Sequence, residues 1–207
     1  MRNPWLDVPL NDYEDHMALP GVGQADMISE LLCRAVERWV PASIAVIGCA
    51  GGNGFDRVDP ESVKRVIGVD LNPQYIEQSR VRFAQRLPNL ELHCADIQSE
   101  SLKYGPVALT YAALLFEYVD VACALRTLKR NSRPGAALIT VLQLPHPVLP
   151  AVSPSPFQSL GRLAHLMKIV APEELRSAAV IAGFVPVDTA TIELPSGKQF
   201  CMQDFTA

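Results

Sequence analysis

The chain has 207 residues, 49% of them apolar, with 22 acidic and 18 basic side chains and a formal net charge of -4. That length suits one domain with a good core and is too short for a nucleotide-binding domain plus a separate substrate domain. The mild acidic balance gives no bias toward nucleic acid or anionic membranes. No run approaches membrane-spanning length and no basic segment with an apolar core opens the chain, so a cytoplasmic protein is expected.

Residues 1–10 hold Trp5 and two prolines and read as an irregular arm. Asn11 with Glu14 resembles a capping box, which starts a first helix that ends before Pro20. After the Pro20-Gly21-Val22-Gly23 turn, Met27, Leu31, Ala35 and Val36 mark one face of an amphipathic helix over residues 24–39. These two helices either pack against the sheet or act as a lid over a ligand.

Residues 43–54 organise the rest. Ile44, Val46 and Ile47 suit a strand buried on both faces, and the chain then breaks into Gly48, Cys49, Ala50, Gly51, Gly52, Asn53 and Gly54. Little side chain on that loop lets a ligand lie almost against the backbone. A second strand over residues 65–70 ends in Asp70, with Asn72 as N-cap and Pro73 at the first position of a helix over residues 73–87. A carboxylate at the tip of the second strand, about twenty residues beyond the loop, can accept from both hydroxyls of a ribose. Strands are predicted over residues 90–95, ending at Asp96-Ile97, over 107–112, and over 136–142 after a Pro134-Gly135 turn, with a helix running to about Asn131.

From Pro145 to Val170 five prolines break any regular element, and a stiff loop of that kind suits a substrate cover or a connector. A helix over residues 172–182 stops at Gly183. Two strands, over residues 185–193 and 198–205, are joined too closely to be anything but antiparallel. Strand-helix alternation elsewhere predicts a doubly wound, mostly parallel α/β sheet of seven strands, with ligands at the carboxyl ends of strands, where Gly48, Asp70, Asp96, Ala112 and Gln143 fall.

The glycine loop, the acidic tip of the second strand, the Asp closing the third and the terminal hairpin together resemble the class I S-adenosylmethionine-dependent methyltransferases, from about Ser43 to the C-terminus. The run Asp12-Tyr13-Glu14-Asp15-His16-Met17 with Val22-Gly23-Gln24 is similar to a largely uncharacterised bacterial branch of that superfamily. The family loop usually reads acidic-x-Gly-x-Gly-x-Gly. Here Val46, Gly48, Ala50 and Gly52 stand at those positions, so a carboxylate that helps order the amino end of the cofactor is missing.

The resemblance implies S-adenosylmethionine as cofactor and S-adenosylhomocysteine as product, and no metal. It implies a cofactor site built from Gly48, Cys49, Ala50, Gly52, Asn53 and Ala112, with Asp70 on the ribose, Leu71 and Ile97 at the adenine, Asp96 accepting from the adenine amino group, and Tyr13 as a further contact. It divides the chain into N-terminal lid helices (1–40), a cofactor-binding core (41–144), a proline-rich cover (145–170) and a terminal helix with its hairpin (171–207).

A methyl acceptor needs alignment and, when not ionised, a base. Glu117, read as a helix-start carboxylate, and His146 are the candidates, with Tyr13 and His16 as packing or cofactor contacts. NAD(P) binding needs Gly-x-Gly-x-x-Gly directly after the first strand, a spacing this loop lacks, and no Lys-Ser or Lys-Thr makes it a phosphate loop. The Asn-Pro-Pro-aromatic motif of adenine methylation is absent after the fourth strand. Arg126, Lys129, Arg130 and Arg133 read as a solvated helix face rather than a nucleic-acid surface. The expected acceptor is a small molecule; a cofactor-binding partner subunit and aminopropyl transfer stand as alternatives. The five cysteines have neither paired spacing nor a histidine cluster and read as buried free thiols.

Overall fold

The structure, a computed structural model, describes residues 3–207. Seven strands form one sheet: β1 (Ser43–Ile47), β2 (Arg65–Asp70), β3 (Leu90–Cys94), β4 (Val107–Ala113), β5 (Ser132–Gln143), β6 (Val185–Glu193) and β7 (Gln199–Thr206). Their order is β3-β2-β1-β4-β5-β7-β6. The first five run parallel, and β7 lies antiparallel between β5 and β6. The sequence order reverses between β1 and β4, and their carboxyl ends therefore border an open crevice.

Burial on both sides explains the composition of the central strands. Ile44 and Val46 of β1 join one apolar cluster with Val66, Tyr111 and Ile139, while Ala45 and Ile47 join a second with Ile67, Val69 and Leu138. The first cluster is roofed by α2 (Gln24–Trp39), through Met27, Ile28, Leu31, Leu32 and Ala35, and by Ile76 of α3 (Pro73–Phe83). The second is roofed by α4 (Val121–Arg130) and α5 (Pro172–Ile181), through Ala124, Leu125, Leu128, Leu175 and Ala179. Asn72 caps α3 by accepting from Gln74 N, with Pro73 in the first turn, and Asp120 caps α4 by accepting from Cys123 N.

Several expectations are corrected. The capping box at Asn11 does not form: α1 spans Leu10–Ala18 behind Pro9, and Glu14 is held instead by Arg82 of α3, Nη2 to Oε2 at 2.9 Å. Of the two N-terminal helices α1 reaches over the carboxyl edge, whereas α2 is mainly a layer of the core, and its first residue, Gln24, reaches one of the cavities described below. Pro134 and Gly135 lie inside β5, in a bulge where four residues of β5 stand against one of β4 between the pairs Val107–Ser132 and Leu109–Ala137. Gly135 takes the positive φ of 74° that the bulge needs. The proline-rich segment holds a 3-10 helix, Gln158–His165, whose Leu160 and Leu163 pack on Val8 of the N-terminal arm. Only Cys49 and Cys201 are buried: Cys94 ends the edge strand β3 and is exposed, and Cys33 and Cys123 lie on outer helix faces.

Within the glycine loop Gly52 serves packing rather than ligand approach. Its φ is 90°, and a Cβ there would stand 2.5 Å from the Phe83 ring and 2.9 Å from Phe55. Gly52→Ala is therefore expected to destabilise the folded chain by about 2 kcal/mol or more, from backbone strain and overpacking together. Urea unfolding without any ligand measures it, and an unchanged midpoint would refute the packing role.

Candidate functional site

The loop after β1 is fastened to the tip of β2. Gly48 N and Cys49 N both donate to Val69 O, and Ala50 N donates to Asp70 Oδ2 at 2.9 Å. Ala50 has φ 47°, a region glycine enters without penalty and alanine does not. Ser79 Oγ donates to Ala50 O at 2.8 Å and helps hold it there. The other oxygen of Asp70 accepts from Asn72 N at 2.9 Å. Each carboxylate oxygen thus holds one N–H and keeps further accepting capacity. Burial by the surrounding walls still dominates, and the Asp70 carboxyl is pushed from 3.8 to about 6.

A cleft with about 750 Å³ of empty space, its open mouth included, lies along these carboxyl ends. Of the predicted cofactor residues it brings together Tyr13, Gly48, Ala50, Asp70, Leu71, Asp96 and Ile97. Gly48 is at φ 71°, and a Cβ there would meet only Leu115 Cδ1, at 3.5 Å, so its backbone is open to the cleft. Cys49 and Asn53 border a smaller hollow that shares Ile47, Gly48 and Ala50 with the cleft. The Cys49 side chain is buried among β1 and β2 residues, and Asn53 Nδ2 donates to Ala25 O of α2. Gly52 faces Phe83. Ala112 is fully buried with the α4 face of the sheet, and Ala113 and Leu114 line the cleft in its place.

Some lining residues escaped the sequence reading. Gln98 donates to Asp96 Oδ1 through both its backbone N–H, at 2.9 Å, and its side-chain amide, at 3.2 Å. Trp5, Tyr75 and Tyr118 add aromatic walls, with Trp5 edge-on to Tyr13 and to Tyr118 at centroid distances of 5.6 and 5.1 Å. The arm carrying Trp5 is pinned: Asn72 Nδ2 donates to Trp5 O at 2.9 Å and the Tyr75 hydroxyl donates to Val8 O at 3.0 Å. A strand-end Asp followed two residues later by a residue able to bond back was the one local signal for Gln98. Nothing local marked Trp5 or Tyr118.

A second cavity, with about 520 Å³ of empty space counting its open mouth, shares Trp5, Tyr13, Leu114 and Tyr118 with the first and is lined by residues from α1, α2, the hairpin and the 145–170 segment. Glu117 lines it. Contrary to expectation Glu117 is not at a helix start but in the loop before Asp120, the cap of α4, and it is 1% exposed because Lys168 N donates to its carbonyl and the segment folds over it. Its Oε1 accepts from Gln143 N at 2.8 Å, and its Oε2 is buried without a partner. Desolvation pushes this carboxyl from 4.5 to about 7. His16, Gln24, Gln143 and Lys198 line the same cavity. His146 does not line either cavity: its Nδ1 accepts from Val148 N and Leu149 N and stabilises a turn. Among the described residues no group of three His, Cys, Asp or Glu side chains is placed to hold a metal ion, and no helix is long and apolar enough to cross a membrane.

A family model described as a methyltransferase domain matches residues 44–135. No curated protein matches the chain. Among solved structures the chain is similar to the N-methyltransferase NodS from Bradyrhizobium japonicum WM9 in complex with S-adenosylhomocysteine, with a TM-score of 0.66 and 16% identity over 88% of this chain and 86% of that one. An S-adenosylmethionine-dependent methyltransferase from Mesorhizobium loti gives 0.66 and 19% over 87% and 98%. The [4+2]-cyclase SpnF gives 0.69 and 13% over 87% and 80%. At such identities the likeness is one of fold.

Glu117 makes stability depend on pH with a defined sign. Between 4.5 and about 7 the folded chain keeps a proton that the unfolded chain has released, so unfolding free energy falls as pH rises through that window and levels off above it. Glu117→Gln removes this contribution. From pH 5 to pH 8 the parent is expected to lose on the order of 3 kcal/mol more than the variant in urea unfolding. Parallel pH profiles for the two proteins would refute the buried, half-satisfied carboxyl.

Proposed function

We propose that this chain, which matches a methyltransferase-domain model over residues 44–135 and shares the fold of methyltransferases, is a class I S-adenosylmethionine-dependent methyltransferase that transfers a methyl group from S-adenosylmethionine to a small acceptor. The observation that carries the reading is the pair of cavities sharing one aromatic wall. One is built on a glycine loop and Asp70; the other holds the buried Glu117.

The first cleft fits the cofactor. The open backbone at Gly48 supports close approach of the methionine portion, the remaining lone pairs of Asp70 support the ribose hydroxyls, and Leu71 and Ile97 offer apolar edges near Asp96 for adenine. Asp96 already holds Gln98, so an adenine amino group would share that carboxylate with the Gln98 amide. Val46 offers no carboxylate to the ammonium, which leaves backbone carbonyls around Gly48 and Ala113 beside Asn53 as its acceptors.

When bound, S-adenosylmethionine supplies an electrophilic methyl carbon whose bond to sulfur breaks onto sulfur as the acceptor's lone pair forms the new bond. The chain supplies the rest. Trp5, Tyr13, Leu114 and Tyr118 stand where the cavities meet and fix the line of approach, and the arm and the 145–170 segment exclude water. Glu117 Oε2 has no protein partner, and a carboxyl raised to about 7 is matched to taking a proton from the acceptor near neutral pH. A second reading is a cofactor-binding protein without methyl transfer. Val46 favours it, and it separates from the first by forming a complex while releasing no S-adenosylhomocysteine with any acceptor.

Calorimetric titration with S-adenosylhomocysteine tests the first cleft. One-site binding is expected. Asp70→Asn and Asp70→Ala are expected to weaken it by about 1.5–3 kcal/mol, roughly ten- to 150-fold. Unchanged affinity in folded variants would overturn the assignment of Asp70 to the ribose.

A further inference from the structure

We infer that the second cavity recognises an acceptor with a carboxylate on an apolar body, the carboxylate seated against Lys198, His16 and Ser153. The inference rests on the methyltransferase reading and names the substrate class for it.

Lys198 comes from the connection between β6 and β7, yet it is 4% exposed and turns its side chain into the cavity. Its Nζ donates to Ala151 O at 2.9 Å, and no carboxylate among the described residues pairs with it. An ammonium has three donors, and burying one without an anion is costly. His16 and Ser153 line the same cavity at 8% and 7% exposure, and His16 Nδ1 and Ser153 Oγ are both buried without a partner. Three groups able to donate, left short of acceptors around one cavity, are complementary to a single anionic ligand group. Burial first, and then the charge of Lys198, holds His16 below its ordinary range, and burial lowers Lys198. A bound anion relieves both.

The remaining lining sets the class further. Met17, Val152, Leu160, Leu163 and Met167 make the body of the cavity apolar. No arginine among the described residues lines it, so none of them offers a bidentate fork to a phosphate dianion, and one ammonium with two lesser donors balances a monoanion. Glu117 belongs to the same cavity, whose aromatic wall is shared with the first cleft. A ligand held by its carboxylate at Lys198 keeps a separate group free to meet Glu117 Oε2, where the acceptor's proton is taken.

The test uses the full chain with and without saturating S-adenosylhomocysteine and titrates matched probes: 3-phenylpropanoate against 3-phenylpropanol and 3-phenylpropyl phosphate, and hexanoate against 1-hexanol. At least one carboxylate is expected to bind saturably and at least tenfold more tightly than its alcohol and its phosphate ester. Lys198→Met, with folding checked by thermal unfolding, is expected to abolish the preference over the alcohol, and Ser153→Ala to reduce it several-fold. Alcohols binding as well as acids, a phosphate ester binding more tightly, no carboxylate saturating, or a preference that survives Lys198→Met would each overturn the inference. Binding of S-adenosylhomocysteine is read separately. Its absence would overturn the methyltransferase reading itself, while its presence with no carboxylate preference overturns the acceptor class alone.

Discussion

The hydrogen bond from Ala50 N to Asp70 Oδ2 joins the loop after β1 to the tip of β2, and the upper edge of the sheet depends on it. Parallel strands carry their own ladder only as far as Ile47 and Val69; beyond that the chain must find other partners for its backbone groups. Asp70 supplies one to the loop and one to the start of α3 through Asn72 N, while Ser79 of α3 returns a bond to Ala50 O. Alanine is thereby held at a positive φ it would not choose, and Gly48 is left with its backbone open to the cleft. The same α3 carries Tyr75, whose hydroxyl holds the N-terminal arm, and Arg82, which holds α1 through Glu14. One short helix therefore positions both the floor and the roof.

Three charged side chains drawn out of water around the two cavities, Asp70, Glu117 and Lys198, share a cause and differ in satisfaction. Desolvation raises Asp70 and Glu117 and lowers Lys198. Asp70 is compensated by two backbone N–H groups, Glu117 by one, and Lys198 by a single carbonyl. The degree of compensation falls from the first cleft to the second. A group already satisfied by the protein has less to gain from an incoming partner, so the second cavity holds the groups with most to gain.

Sequence made legible whatever follows from neighbours in the chain. The apolar runs of β1, β2, β4 and β5, the limits of α2, the cap at Asn72 and the joint between β6 and β7 all carry local signals, and from them a doubly wound, mostly parallel sheet with a terminal antiparallel pair is read. Gly48, Asp70 and Asp96 came with the carboxyl ends of the strands, and Leu71 and Ile97 with the family resemblance. What was not legible depends on distant segments meeting. Glu117 looked like a helix-start residue because nothing in its own run foretells that Gln143 N and Lys168 N will close over it. Lys198 looked like the first residue of a strand. Pro134-Gly135 has the composition of a turn, and only pairing on both sides of β5 keeps it within the strand as a bulge. His146 is the reverse case, a chemically apt side chain whose nitrogen is spent on its own turn.

The wall of Trp5, Tyr13 and Tyr118 belongs to two cavities at once, which ties their histories together. A substitution there that reshapes the second cavity also alters a surface of the first, so the two cannot drift independently through these positions. Divergence toward other acceptors has freer room in the 145–170 segment and at the β6–β7 joint, whose side chains reach the second cavity without touching the first. The molecule thus separates a portion under joint constraint from a portion open to variation, and the partition runs along the aromatic wall.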